Sequence, residues 1–260
     1  MYVLRRVKQY ELILQGVTLK DKVKLLALAL FYTFPNKLTN LNAKTPQIVI
    51  NISQNTRVKS GGVIYKLSHP RQLFMISDQF ERNIQSWFDM DGETFLDIGA
   101  NIGRYSIRLS SRFRNVHAFE PTPCTFLMLK HNVEANEIEN ITLHQVAAWN
   151  TDTKLTFHLK NNPGGNSATM LENSIGTLTV EAEKLDNYIE SLGKVDLVKI
   201  DVEGAEREVL AGMSRIIEKH SPRIIVEVLE ENRFDLYRFM DQHNYDLVKS
   251  QNRNHLFQAK

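Results

Sequence analysis

The chain has 260 residues, 42% of them apolar, with 32 basic against 30 acidic side chains for a formal net charge of +2. That is enough apolar material for one large domain with an extension, and it excludes a wholly disordered chain. The near balance of charge argues against nucleic acid as the main partner, because phosphate binding draws on a surplus of Lys and Arg.

Cys124 is the one cysteine. An intramolecular disulfide and a thiolate zinc cluster are therefore excluded, which fits a reducing, cytoplasmic setting. The first residues mix Arg5, Arg6, Lys8 and Glu11 with apolar side chains, unlike a secretory signal. Residues 1–40 read as helical, with a stop near Pro35 and Asn36. The apolar run at 25–34 is about ten residues long, roughly half of what a bilayer span requires. With Lys20, Lys22 and Lys24 before it, the run suits a helix packed on the main domain or on a second copy of the chain in a homodimer. Peripheral contact with a membrane surface is the competing use of such a segment. Residues 47–52 are β-branched and alternate, which predicts a strand. A turn at 60–62, a strand at 63–67 and a helix over 77–88 follow. Residues 1–90 are thus expected to form a helical and short-strand extension, and 91–260 the main domain.

From Glu93 onward strands and helices alternate, the mark of an α/β domain with a parallel sheet. Strands are predicted at 94–98, 115–119, 141–147, 195–202 and 223–228, and helices at 103–113, 122–136, 205–220 and 231–243. Segments 245–249 and 255–258 are expected to close the chain as a hairpin. Between the third and fourth strands, 154–159 and 177–183 predict a β-extension around the loop 163–167.

Three places carry chemistry. The first is Asp97-Ile98-Gly99-Ala100-Asn101-Ile102-Gly103, at a strand end. Gly99 permits a tight turn and close approach of a ligand to the backbone, and Gly103 lets the following helix pack against the strand. The second is Glu120, 21 residues beyond Gly99 and followed by the stiffening Pro121. An acid there can accept both hydroxyl protons of a ribose. Ribose readout does not separate a nicotinamide dinucleotide from S-adenosylmethionine, but the loop does. The dinucleotide fingerprint exposes amides to a pyrophosphate, whereas Asp97 at the loop entrance repels a pyrophosphate and suits the ammonium of an amino acid. The third place is Lys199-Ile200-Asp201-Val202-Glu203-Gly204-Ala205-Glu206. Alternation puts Lys199, Asp201 and Glu203 on one side of a strand end, where burial without purpose is costly. Asp201 is the candidate general base or acceptor-orienting group. A divalent metal held by Asp201 with Glu203 or Glu227 is an open alternative.

Phe95 to Gly103, the run Ala118-Phe119-Glu120-Pro121, and Lys199 to Glu206 together resemble the FkbM family of methyltransferases over about residues 93–230. The resemblance implies a Rossmann-like class I methyltransferase fold with a mostly parallel seven-stranded sheet and a terminal β-hairpin. It also implies S-adenosylmethionine as donor and a hydroxyl acceptor on a glycan, glycolipid or other small molecule. Carried onto this chain, Asp97, Gly99, Ala100, Asn101 and Gly103 would hold the donor's methionine part. Glu120, with Pro121, would hold its ribose; Ala147 and Ala148 would lie beside the adenine, and Asp201 and Glu203 would face the acceptor. The competing readings are an NAD(P)-dependent oxidoreductase and a non-catalytic nucleoside-binding module.

Overall fold

The computed structural model describes residues 14–33, 47–159 and 176–260. The expectations for residues 1–13, 34–46 and the loop 163–167 lie outside the described residues. The chain divides into two compact units, Met1–Phe80 with Glu134–Glu137, and Glu81–Val133 with Ile138–Lys260.

The smaller unit holds α1 (Leu19–Thr33), α2 (Gln47–Ser53), the hairpin β1 (Thr56–Ser60) and β2 (Val63–Leu67), and α3 (Gln72–Met75). Asp21, in the first turn of α1, accepts from the N–H and hydroxyl of Thr18 and from the N–H of Arg57. One carboxylate therefore caps the helix and fastens it to the hairpin. Residues 47–52 are a helix, correcting the expected strand: Val49 and Ser53, four apart, are its buried face, and tertiary packing overrides β-branched propensity. Helix α1 buries Leu25 and Leu28 but leaves Leu19, Val23, Leu26 and Leu30 exposed. No helix among the described residues is long and apolar enough to cross a membrane.

In the larger unit a 3-10 turn at Arg82–Phe88 takes the place of most of the expected helix over 77–88. Then follow β3 (Gly92–Ile98), α4 (Arg104–Leu109), β4 (Phe113–Phe119), α5 (Pro123–Ala135) and β5 (Ile141–His144). The strands β6 (Ala147–Ala148), β7 (Thr153–Leu159) and β8 (Gly176–Glu183) form a separate three-stranded sheet in the order β6-β8-β7. Next come β9 (Val195–Ile200), α6 (Glu206–Ala211), α7 (Ser214–His220), β10 (Arg223–Glu227), α8 (Arg233–Gln242), β11 (Tyr245–Gln251) and β12 (Asn254–Ala259).

The main sheet has seven strands in the order β11-β12-β10-β9-β3-β4-β5. Strands β10, β9, β3, β4 and β5 are parallel, and β12 and β11 close the edge as an antiparallel hairpin. Both faces are covered, which is why the central strands read as continuous apolar runs. Leu96, Ile98, Val198, Ile200, Ile224 and Val226 pack on one face with residues of α6, α7 and α8. Phe95, Leu197 and Ile225 pack on the other with Trp87, Tyr105 and Leu109. The chain leaves β3 for β4 on one side and returns to β9 on the other. The carboxyl ends of β3 and β9 thus flank a topological switch point, where open α/β sheets bind ligands.

Candidate active site

The loop leaving β3 is tied to both neighbouring strand ends by main-chain bonds. Gly99 and Ala100 donate to the carbonyl of Phe119 at 3.0 and 2.9 Å, and Ile98 accepts from Asp201 at 2.9 Å. At Gly99, where φ is +82°, a Cβ would stand 1.9 Å from the carbonyl oxygen of Asp201, so only glycine fits. Asn101 (φ 53°) and Gly103 (φ 88°) turn the chain back into α4. The Asp97 side chain does not line this loop with both oxygens. Its Oδ2 accepts from the N–H and hydroxyl of Ser106, fastening β3 to α4. Its Oδ1 is buried without a partner among the described residues, as is Oδ1 of Asn101. Burial raises the Asp97 carboxyl above its ordinary value, with Lys199 opposing.

Glu120 closes this loop from the next strand. Its Oε2 accepts from the N–H of Asn101 at 3.1 Å and its Oε1 from the N–H of Thr122 at 2.9 Å, while its own N–H donates to the carbonyl of His144 at 3.0 Å. Burial lifts its carboxyl to about 7, against the pull of those hydrogen bonds. Asp97, Gly99, Ala100, Asn101, Gly103 and Glu120 are therefore one construction, and Pro121 leads from it into α5. Ala147 and Ala148 do not end the third strand as expected. The strand stops at His144, and the two alanines pair instead with Ala182 and Glu183 of β8. Ala148 still packs in the cluster of Ile98 and Phe119.

The end of β9 carries the second half of the site. Lys199, 2% exposed, places Nζ 2.9 Å from Oδ2 of Asp201 and 4.8 Å from the centre of the Tyr105 ring. Burial disfavours its charge, but Asp201, Glu81, Tyr105 and Asp97 outweigh that and hold the ammonium above its usual range. Tyr105 donates its hydroxyl to Oε2 of Glu81, whose Oε1 accepts from Nδ2 of Asn254 at 3.3 Å. Glu203 is half-buried with φ of 55° and Glu206 accepts from the N–H of Gly204 at 2.7 Å, which shapes the exit into α6. Glu81, Tyr105 and Asn254 were not visible as site residues in the sequence. Each lies outside the three motifs, and the left-handed backbone at Glu81 (φ 49°) breaks the helix expected there. No group of three or more His, Cys, Asp or Glu among the described residues is arranged to hold a metal ion.

The family model described as the methyltransferase FkbM domain matches residues 97–247, which is more than half of the chain. The chain belongs to the FkbM methyltransferase family. Among FkbM relatives, the chain is 31% identical over 140 residues to the hexuronic acid methyltransferase AglP of Haloferax volcanii, covering 53% of this chain and 56% of that protein. It is 26% identical over 186 residues to the 2-O-methyltransferase NoeI of Sinorhizobium fredii, covering 64% of this chain and 70% of that one. The crystal structure of the methyltransferase FkbM from Methylobacillus flagellatus superposes with a TM-score of 0.52 at 16% identity, over 98% of this chain and 59% of that one. At that identity the match speaks for the fold. The chain spans between 56% and 70% of the length of the curated relatives it matches.

Proposed function

We propose that this protein methylates a hydroxyl group of a carbohydrate, glycolipid or other small molecule with S-adenosylmethionine as donor. The observation that carries the reading is the joining of the glycine loop to Glu120 through the N–H of Asn101 at 3.1 Å. The residues present fit the donor. Two buried acceptor oxygens, Oδ1 of Asp97 and Oδ1 of Asn101, lack donors among the described residues. Buried polar atoms rarely go unsatisfied, and an ammonium supplies three N–H groups. Gly99, Ala100 and Gly103 would leave room for the methionine part, Glu120 would accept from the ribose hydroxyls, and Ala147 and Ala148 would border the adenine. When bound, the donor supplies an electrophilic methyl group on a sulfonium.

The larger unit, in this reading, holds the donor. Asp201 and Glu203 sit at the end of β9, across the switch point from the donor loop. Asp201, tied to Lys199, would orient the acceptor hydroxyl; methyl transfer is chiefly a matter of alignment. Sugar hydroxyls are supported as acceptors by the relatives, whose names give a hexuronic acid methyltransferase and a 2-O-methyltransferase. Calorimetric titration with S-adenosylhomocysteine tests the donor site, and binding of NAD in its place would reverse the assignment. Mass spectrometry of host glycans and lipids, with and without this protein, tests the acceptor: the expected result is loss of one methyl increment from a single species.

A further inference from the structure

The carboxyl edge of the sheet sets three polar side chains abreast. Ile200 pairs with Val226 in parallel register, which puts Asp201 beside Glu227, and Glu227 pairs with Asn254 across the next strand boundary. Residues paired across strands share a face. This row therefore lies on the same face as Lys199, whose partner in β10 is Ile225. The three members of the row differ in how they are engaged. Asp201 is held by the Lys199 ammonium at 2.9 Å. Asn254 is held by Glu81 at 3.3 Å. Glu227 is half-buried, and among the described residues its side chain makes neither a hydrogen bond nor an ion pair.

We propose that Glu227 is the general base that takes the proton from the acceptor hydroxyl. The inference rests on the hydroxyl-methylation reading above and adds to it the residue that removes the proton. Asp201 is already engaged by the buried Lys199 ammonium at 2.9 Å. Glu227 sits at the same edge without such a partner. The groups facing it are Asp201, Lys199 and Glu203 from β9 and its exit, and Glu81 from the segment before β3. Of these only Lys199 is a cation, and it is already committed to Asp201 and Tyr105. Burial, followed by the charge of Asp201, lifts the Glu227 carboxyl to about 8. A base poised close to the working pH combines availability with proton affinity. In the step, the hydroxyl oxygen gains the methyl carbon as the carbon–sulfur bond breaks with its electron pair onto sulfur. The hydroxyl proton passes to the Glu227 carboxylate, and solvent takes it afterwards.

The test uses the full chain with Glu227→Gln, Glu227→Asp and Asp201→Asn, each checked for S-adenosylhomocysteine affinity within about twofold of wild type. Infrared difference titration of the S-adenosylhomocysteine complex reads the carboxyl directly and needs no acceptor. A neutral carboxylic acid band should disappear with a midpoint near pH 8, and it should be absent from Glu227→Gln. With an acceptor from a panel of neutral sugars and uronates, Glu227→Gln should lose about 100-fold or more in kcat, the scale of a general base. It should also lose the rise of rate toward pH 8, while Glu227→Asp recovers part of it. Asp201→Asn should act mainly on KM and keep the rise. A band with its midpoint near pH 8 that survives in Glu227→Gln beside that of Glu120 near 7, or a kcat within about threefold of wild type, would overturn the assignment. A wild-type protein that methylates amines and no hydroxyl would instead count against hydroxyl methylation, and the infrared titration would still judge Glu227.

Discussion

The main-chain N–H of Asn101 donates to Oε2 of Glu120 at 3.1 Å. Two motifs separated by a helix and a strand thus meet at a single hydrogen bond, and the carboxylate that reads the ribose in the proposed function also holds the turn that would receive the amino acid. Removing that carboxylate should damage both halves at once. Glu120→Ala is expected to weaken S-adenosylhomocysteine binding by about 2–3 kcal/mol, roughly 30- to 150-fold in Kd, the scale of lost hydrogen bonds to a charged group. Calorimetry on protein shown to be folded by circular dichroism checks this.

Donor binding should also depend on pH through the same group. Burial lifts the Glu120 carboxyl to about 7 from an ordinary 4.5. Only the ionised form accepts from both ribose hydroxyls, so binding should tighten as pH rises through about 7, by up to about tenfold per unit on the acid side. Stability runs the other way. The folded carboxyl holds its proton more tightly than the unfolded one, so its contribution is full below about 4.5 and is lost as pH rises through about 7. Binding and melting curves over that range should move in opposite directions for wild type, and Glu120→Ala should remove the trend from both.

Gly99→Ala should be destabilising by about 3 kcal/mol or more. The added Cβ would meet the Asp201 carbonyl oxygen at 1.9 Å, in a backbone conformation with φ of +82°. Main-chain atoms cannot rotate aside as a side-chain tip does. Thermal denaturation measures the loss, and Gly62→Ala serves as the control: its φ is +82° as well, but its Cβ would meet nothing within 4 Å.

Lys199→Met should cost about 3–5 kcal/mol, because it leaves the partly buried Asp201 without its cation. The double variant Lys199→Met with Asp201→Asn should recover much of that stability and still fail to orient an acceptor. Chemical denaturation of the single and double variants separates the two effects.

A stacked pair of histidines gives an acid limit. Nδ1 of His117 lies 3.0 Å from Nε2 of His144, and the His144 ring stacks on Phe119. Burial, then the neighbouring His117, lowers His144 to about 4 from an ordinary 6.5. The unfolded imidazole takes a proton first as pH falls, so the pair's contribution is present above about 6.5 and lost on the way down to about 4. Melting temperature at about pH 5 should therefore rise in His144→Phe relative to wild type, while at about pH 8 it should not.

The alternation of strand and helix after Glu93 was legible because each central strand is buried on both faces and so is apolar throughout. The motifs at Asp97 and Asp201 were legible because chemistry fixes residue types at strand ends. Other features were hidden for physical reasons. The β-branched segment Gln47–Ser53 is helical because its partners need Val49 and Ser53 on one side. The helix expected over 205–220 is two helices: the Gly212 carbonyl accepts from the N–H of Asp186, whose carboxylate accepts from the N–H groups of Arg215 and Ile216 at the start of the second. Glu81 and Asn254 lie 173 residues apart and meet only through folding. No local pattern marks such a pair.

The hydrogen bond from Asp201 N–H to the Ile98 carbonyl, at 2.9 Å, lies immediately beside Gly99. In the proposed site, the separation between methyl donor and acceptor is thereby written in peptide units rather than in side chains. Exchanging residues around either pocket leaves that span untouched. A chain built this way can acquire new acceptors by altering the walls of its cleft while the reach of the transfer stays constant.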